Sequence, residues 1–426
     1  MRTTNADKMI LLRLNGQYSW LFLFCIGIVI IVFLSSCGAS KGDRQEDDFA
    51  NMTWEQIVAE AKGTSATMIM YMGGASGVSF MNDYVIPTLK QQYDIDLQLV
   101  PGQGKEIIAS IMSEKEAGTT TGQADLCWIN GETFYQLRQV DGLYGPYNEL
   151  LPNFKYVDMD NPVIHYDFQE DINGYETPWS MANFAMVYDS ARIATPPTSM
   201  QEFEQFWQQH PGRFTIPNDF SGYTLLKTWL IEIAGGSKEL DGPFDAAKYE
   251  SYSKQLWSFL NKNKKNFWKR GETFPASNTI ASQMFASGEL DFSMSFSNAD
   301  LDIKIREGVY PATARPLILR PGSIQNANYV GIPFNSARKA TALVIINFLI
   351  SAEAQAQKAN LAYTGSRTVL NLDKLPEADR QLFDTITGVR YAIAPATLNK
   401  VAIREPVPEY MIKIADDFRK FVIEAS

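Results

Sequence analysis

Cysteine and histidine are nearly missing from this chain, and each scarcity removes a class of chemistry. Three cysteines in 426 residues leave no basis for a disulfide framework. The two histidines, His165 and His210, stand far apart in loop-like contexts, which excludes a histidine-rich metal site. Neither H-E-x-x-H nor C-x-x-C occurs, and there is no G-x-S-x-G elbow. The stretch Gly102-Gln103-Gly104-Lys105-Glu106 fits neither the phosphate-loop nor the dinucleotide pattern. No metal and no cofactor are therefore expected. Basic charge is also short, with 38 Lys and Arg against 48 Asp and Glu. That balance argues against nucleic acid and anionic membrane surfaces as partners. The local basic cluster 262–270, with Phe267 and Trp268 interleaved, then reads as a solvated helix face. No internal repeat at solenoid periods is found.

One long apolar run is present, and it lies at the N-terminus. Arg2, Lys8 and Arg13 precede Trp20–Leu34, the layout of a secretory leader. A stop-transfer anchor is the rival reading for a run of that length. Directly after it, Leu34-Ser35-Ser36-Cys37-Gly38 resembles the lipobox of bacterial lipoproteins, which makes Cys37 the expected lipidation site. Residues 1–36 then form the leader and 37–52 a polar, charged tether. Without the leader the chain keeps 35 basic and 47 acidic residues, a net charge of −12. Cys127, in mid-strand, reads as a small buried hydrophobe.

At this length two lobes are expected rather than one core. Thr53 opens a helix with capping-box spacing to Gln56, and Gly63 closes it. Strand candidates at Thr67–Met72, Ile95–Val100 and Asp125–Ile129 recur at the spacing of β-α-β units. A helix between the last two shows Ile107, Ile108, Ile111 and Met112 on one face, and a weaker one at Phe80–Tyr93 is interrupted by Pro87. Further strands are read at Asn183–Asp189, Asp291–Phe296 and Tyr329–Phe334, and a buried helix at Ala340–Ile350. In an open α/β sheet, ligands sit outside the carboxyl ends of the strands. Candidate site residues follow from that rule. Gly74 and Ser76 lie in a glycine loop whose amides suit an anion, although a plain turn explains them equally well. Asn130 and Glu132 follow the strand Asp125–Ile129. Trp179 and Asn183 stand where the chain passes between lobes. Asp219 and Ser221 begin a helix, with Ser221 as the candidate cap. Ser297 and Asn298 follow another strand. Two of these are carboxylates, one is a large aromatic and none is Lys or Arg, which suits a small cation with an aromatic or sugar-like face.

A family resemblance is carried by Asp-Leu-Cys-Trp-Ile-Asn-Gly-Glu-Thr-Phe at 125–134, Leu-Leu-Pro-Asn at 150–153, Gly-Tyr-Glu-Thr-Pro-Trp at 174–179 and Pro-Gly-Arg-Phe-Thr at 211–215. Asn-Tyr-Val-Gly-Ile-Pro-Phe-Asn at 328–335 and Asn-Phe-Leu-Ile-Ser-Ala-Glu-Ala-Gln at 347–355 continue it. With the leader and lipobox, the chain resembles the extracellular solute-binding lipoproteins of ABC transporters, specifically the Ynj-type, thiamine-like group. It departs from that pattern at Ser180, at Asn183 and after the strand that ends before Ser297-Asn298. The resemblance implies an α/β fold of two lobes, type II among periplasmic binding proteins, with a hinge and a cleft that closes on a solute. The expected lobes are 53–180 with 297–335, and 181–296 with 336–426. The implied partners are a small solute, with a thiamine-like cation as the candidate, an ABC permease with its ATPase, and a membrane held through the lipid, with the protein itself monomeric and facing the periplasm or cell exterior. The alternative from another class is a surface-anchored hydrolase using cleft carboxylates.

Overall fold

Parallel pairing of three apolar segments builds the first sheet. β1 (Ser65–Met70) lies between β2 (Asp96–Pro101) and β3 (Leu126–Ile129), with Ala66 opposite Leu97 and Met68 opposite Leu126. Parallel neighbours need a crossover, which the intervening helices supply. The computed structural model describes residues 49–72, 75–297, 299–386 and 390–425. The expected leader, Cys37 and most of the tether lie outside the described residues, as do Gly74 and Asn298. Thr53 accepts from the Gln56 N–H while the Gln56 side chain accepts from the Thr53 N–H, the reciprocal cap that the spacing predicts. Pro87 does not break its helix. Ala75–Ser79 runs through a π-helical turn at Phe80–Val85 into Ile86–Tyr93, so Pro87 sits in a first turn that asks no N–H of it.

Downstream come β4 (Leu143–Tyr144), the small pair β5 (Tyr166–Asp167) and β6 (Glu170–Asp171), and β7 (Glu176–Asn183), buried along its whole length. A second sheet follows, with β8 (Ala185–Asp189) between β9 (Phe292–Ser295) and β10 (Ala314–Leu317), all antiparallel. β11 (Ser323–Pro333) returns to the first sheet, antiparallel to β3, β4 and β7 and parallel to β12 (Ala402–Arg404). Both β7 and β11 are longer than the sequence suggests. Their ends carry Asn, Gln and Ser, which read as loop but are buried in the ladder between the two sheets.

Phe49–Ser426 pack as one unit with two large hydrophobic cores. One core collects side chains from Phe49 to Met181 and from Ala327 to Leu375. The other collects them from Phe184 to Ile324 and from Ile403 to Val422. The chain thus passes from one core to the other between Met181 and Phe184 and back between Ile324 and Ala327. These two passages are paired, Asn183 opposite Gln325 and Ala182 opposite Asn326. The lobe limits expected from the sequence follow the cores only in part. The helix Lys339–Leu349, placed by sequence in the second lobe, is buried in the first core. Leu301, Tyr310 and Ala314, placed in the first, cluster with Val187 and Phe285 beside the second sheet. An all-apolar helix announces burial but not which sheet it covers.

Candidate functional site

β1 and β3 end side by side, so the residues at their carboxyl ends share a rim. Trp128 is the half-buried residue of β3, between buried Cys127 and Ile129, because strand side chains alternate. Its ring meets that of Tyr71, just past β1, at 6.4 Å and 85°, and that of Trp179 on β7 at 5.2 Å and 90°. Edge-to-face contacts of this kind set the positive edge of one ring on the negative face of another. The Tyr71 hydroxyl lies 3.2 Å from Thr279 Oγ1, on the helix Asn278–Ala286. That helix packs beside the second sheet, so the rim of the first core touches the second core's side here.

Below the rim, Gly131 holds φ at +49°, and its N–H donates to the Asp167 carboxylate. A Cβ at this position would lie 2.6 Å from the Phe168 ring, so the turn accepts only glycine. Glu132 follows, opening the helix Glu132–Gln139. Burial pushes its carboxyl up to about 7, against the opposing pull of a backbone N–H and then of Lys227 and Lys105, and its Oε2 has no hydrogen-bond partner among the described residues. Burial also raises Asp167 well above the usual carboxylate range, and Asp167 Oδ1 is likewise unpartnered. From the second core, the Lys227 ammonium pairs with Glu405 and lies 4.2 Å from the Phe168 ring centroid. Asn326 donates to the other Glu405 oxygen at 2.6 Å. A cavity of about 20 Å³ adjoins this group, lined by Phe168, Gln169, Asn326 and Glu405 among others. Glu132 and Asp167, shielded beside the Lys227–Glu405 pair, hold protons at pH values where exposed carboxylates lose them.

The expected site residues fall into distinct places. Asn130 donates through Nδ2 to Asn328 Oδ1 at 3.2 Å. Asn183 is buried at the paired passage between cores. Asp219, rather than Ser221, caps the helix Phe220–Ala234. Its Oδ1 accepts from the Ser221 and Gly222 N–H groups, and its Oδ2 from the Asn278 N–H at 2.6 Å. Ser221 is the second residue of that helix and buried. Ser297 donates to the Thr364 carbonyl at 3.2 Å, linking the end of β9 to the segment after the helix Ala352–Ala359. Ser76 sits half-buried in the short helix Ala75–Ser79.

Trp179 differs most from expectation. Lys358 Nζ lies 3.1 Å from its ring centroid, so the protein's own ammonium covers a face that a cationic solute would use. The same nitrogen donates to the Trp179 carbonyl at 3.1 Å, and Gln355 Nε2 donates to that carbonyl at 2.8 Å. Burial pulls Lys358 well below the usual lysine range. The sequence reading missed Tyr71, Trp128, Lys227 and Lys358. For Lys227 a signal exists, since a lysine stands in the apolar run Leu225-Leu226-Lys227-Thr228-Trp229. Lys358 has no such mark, being 179 positions from the ring it covers. A larger cavity, about 280 Å³, opens elsewhere, between Asp189, Arg192, Phe285, Val309 and Tyr310 of the second core's side. Among the described residues no group of His, Cys, Asp and Glu is placed to hold a metal ion.

A family model described as bacterial extracellular solute-binding protein matches residues 85–384 of the chain. Protein YnjB of Escherichia coli (strain K12) is 32% identical over 332 residues, which cover 77% of this chain and 85% of the relative. Among solved structures, the periplasmic binding protein AfuA from Actinobacillus pleuropneumoniae, with exogenous fructose-6-phosphate bound, aligns with a TM-score of 0.61 at 13% identity, covering 85% of this chain and 99% of that one. The spermidine/putrescine ABC transporter substrate-binding protein PotD from Streptococcus pneumoniae, in complex with calcium and HEPES, aligns with a TM-score of 0.58 at 13% identity, covering 85% and 100%. At such identities these structures speak to the fold, which is that of the type II periplasmic binding proteins.

Proposed function

This chain belongs to the bacterial extracellular solute-binding proteins, and on that premise we propose that it holds a flat, cationic organic solute against Tyr71 and Trp128 as its two lobes close. As a member of that family it captures a solute for an ABC transporter, and family members work outside the cytoplasm. The observation that carries the proposal is the near-perpendicular pair Tyr71 and Trp128, whose outer member reaches Thr279 across the divide. Two aromatic faces at right angles suit a cation, because each ring offers its negative face. Beneath the rim, Glu132 and Asp167 hold protons that a nearby cation would help release, and Glu405 already faces Lys227. The paired passages at Asn183 and Gln325 serve as the hinge. A thiamine-like cation fits the two rings.

The remaining parts of this reading are a lipid anchor at Cys37, a monomeric state, and delivery to a permease and its ATPase. A hydrolase would need two accessible cleft carboxylates. Asp219 instead spends both oxygens on backbone amides, and Glu132 is shielded. Thermal-shift titration with thiamine, putrescine and fructose 6-phosphate tests the proposal. A ligand at about 100 times its dissociation constant adds roughly 2.7 kcal/mol of apparent stability. The cations raise the melting temperature, and Tyr71→Ala with Trp128→Ala abolishes the rise. A rise with fructose 6-phosphate alone refutes the cationic reading.

A further inference from the structure

We propose that Lys358 and the Trp179 indole N–H form an anion-recognising subsite on the first core's wall of the cleft, so that the solute carries a compact carboxylate or phosphate group. The inference rests on the reading that the solute lies beside the strand-tip aromatics, and it holds whether or not the rest of that solute is cationic. Lys358 is 4% exposed and Trp179 is 3% exposed. The ammonium has three protons to donate and, among the described residues, a single hydrogen bond to show for them, to the Trp179 carbonyl. Trp179 Nε1 has no acceptor among the described residues. Two shielded donor groups in contact, the ammonium lying over the indole ring, are thus short of acceptors among the described residues, where buried donors are nearly always satisfied.

Charge points the same way. Among the described residues no carboxylate is paired with Lys358, and burial pulls it well below the usual lysine range, toward the neutral amine that a bound anion would protonate. A buried, uncompensated ammonium is costly, and a lysine that only filled space between Phe80 and Trp179 would be better replaced by an apolar chain. An anionic group supplies both missing things, an acceptor for each donor and a counter-charge. Its place next to the site is fixed by two steps. Trp179 stands edge-to-face on Trp128 of the rim. Thr364 Oγ1 donates to the Lys358 carbonyl at 2.7 Å, and the Thr364 carbonyl accepts from Ser297, at the end of the second sheet's β9.

The test titrates the full chain with phosphate and with acetate, each against sodium chloride at equal ionic strength, while following the melting temperature. At least one of the two anions raises it relative to chloride. Lys358→Met, which conserves chain volume, weakens that response on the order of 30-fold or more, since truncating one partner of a buried charge pair costs at least about 2 kcal/mol. Trp179→Phe keeps a ring without the N–H and weakens it less. Which anion acts separates phosphate from carboxylate as the group read. An unchanged response in Lys358→Met, or no response to either anion in the parent chain, overturns the proposal. Thiamine run alongside keeps the two readings apart. A parent chain that answers anions but not thiamine loses the cationic solute and keeps the subsite, and one that answers thiamine alone does the reverse.

Discussion

Lys227 and Lys358 are both buried, and both lie over an aromatic ring, at 4.2 Å from Phe168 and 3.1 Å from Trp179. Their surroundings are opposite. Lys227 has a carboxylate, Glu405, which Asn326 also holds, and it faces Glu132 and Asp167 of the other core. Lys358 has a carbonyl oxygen and a ring. A ring quadrupole contributes about 0.5–2 kcal/mol, less than taking an ammonium out of water costs. The comparison separates a charge that the fold itself balances from one that the fold leaves for something else to balance.

The largest effect comes from breaking the balanced pair. Glu405→Ala leaves Lys227 buried without its partner, and such a deletion costs about 3–5 kcal/mol. Urea denaturation reads this as a lower midpoint with an unchanged slope. A loss under about 1 kcal/mol means that Lys227 finds another of the nearby carboxylates.

The next effect is a pH dependence. Glu132 has its folded pKa raised to about 7 from 4.5, chiefly by burial. A raised carboxylate contributes stability that is fully present below its unfolded value and lost as the pH climbs through its folded one. Stability therefore falls between about pH 5 and pH 8, by on the order of 3 kcal/mol from this group. Asp167, Glu176 and Glu405 are raised by burial and act in the same direction. Glu132→Gln, which mimics the protonated acid, flattens the profile measured by denaturation at the two pH values. A profile equally steep in Glu132→Gln assigns the slope to the other carboxylates.

Substituting methionine for each lysine should then give opposite signs. Lys358→Met removes a buried amine with donors left unpaired among the described residues and stabilises the solute-free protein by about 1–3 kcal/mol. Lys227→Met strips Glu405 of its counter-charge and destabilises at neutral pH. Two destabilised variants would mean that Lys358 is balanced after all.

Much of the scaffold was legible because local causes suffice for it. The Thr53–Gln56 cap, the β-α-β spacing and the apolar helix at Lys339–Leu349 follow from neighbours within a few positions. What escaped depends on distant pairing. β7 reads as an entrance to a strand because Glu176, Thr177 and Ser180 look like loop residues, yet all are buried against β11. Glu176 carries the cost, with both oxygens unpartnered among the described residues and its carboxyl raised well above the usual range by burial. The strand-tip rule nominated Asn130, Glu132 and Trp179, but it could not tell which polar groups the fold already uses. Asp219 is used up as a cap, and Trp179 is covered by a lysine from another element.

The smallest expected effect concerns the contact between the two cores that is neither buried nor charged. Tyr71 is 39% exposed, and its hydroxyl meets Thr279 Oγ1 at 3.2 Å. Water competes for both groups, so the bond is worth at the low end of the usual range, about 0.5 kcal/mol. Thr279→Val keeps the side chain's shape and removes the hydroxyl. If the contact belongs to closure, only the balance between open and closed forms moves, by a factor of about 2, since 1.4 kcal/mol is tenfold. Small-angle scattering without solute then reports a slightly larger radius of gyration, while the melting temperature stays within error. The lysine pairs behave differently because they lie inside the packed interior, where a substitution changes the folded state as a whole. A melting temperature lowered by several degrees in Thr279→Val would place this contact with them, as part of the fold rather than of its closing.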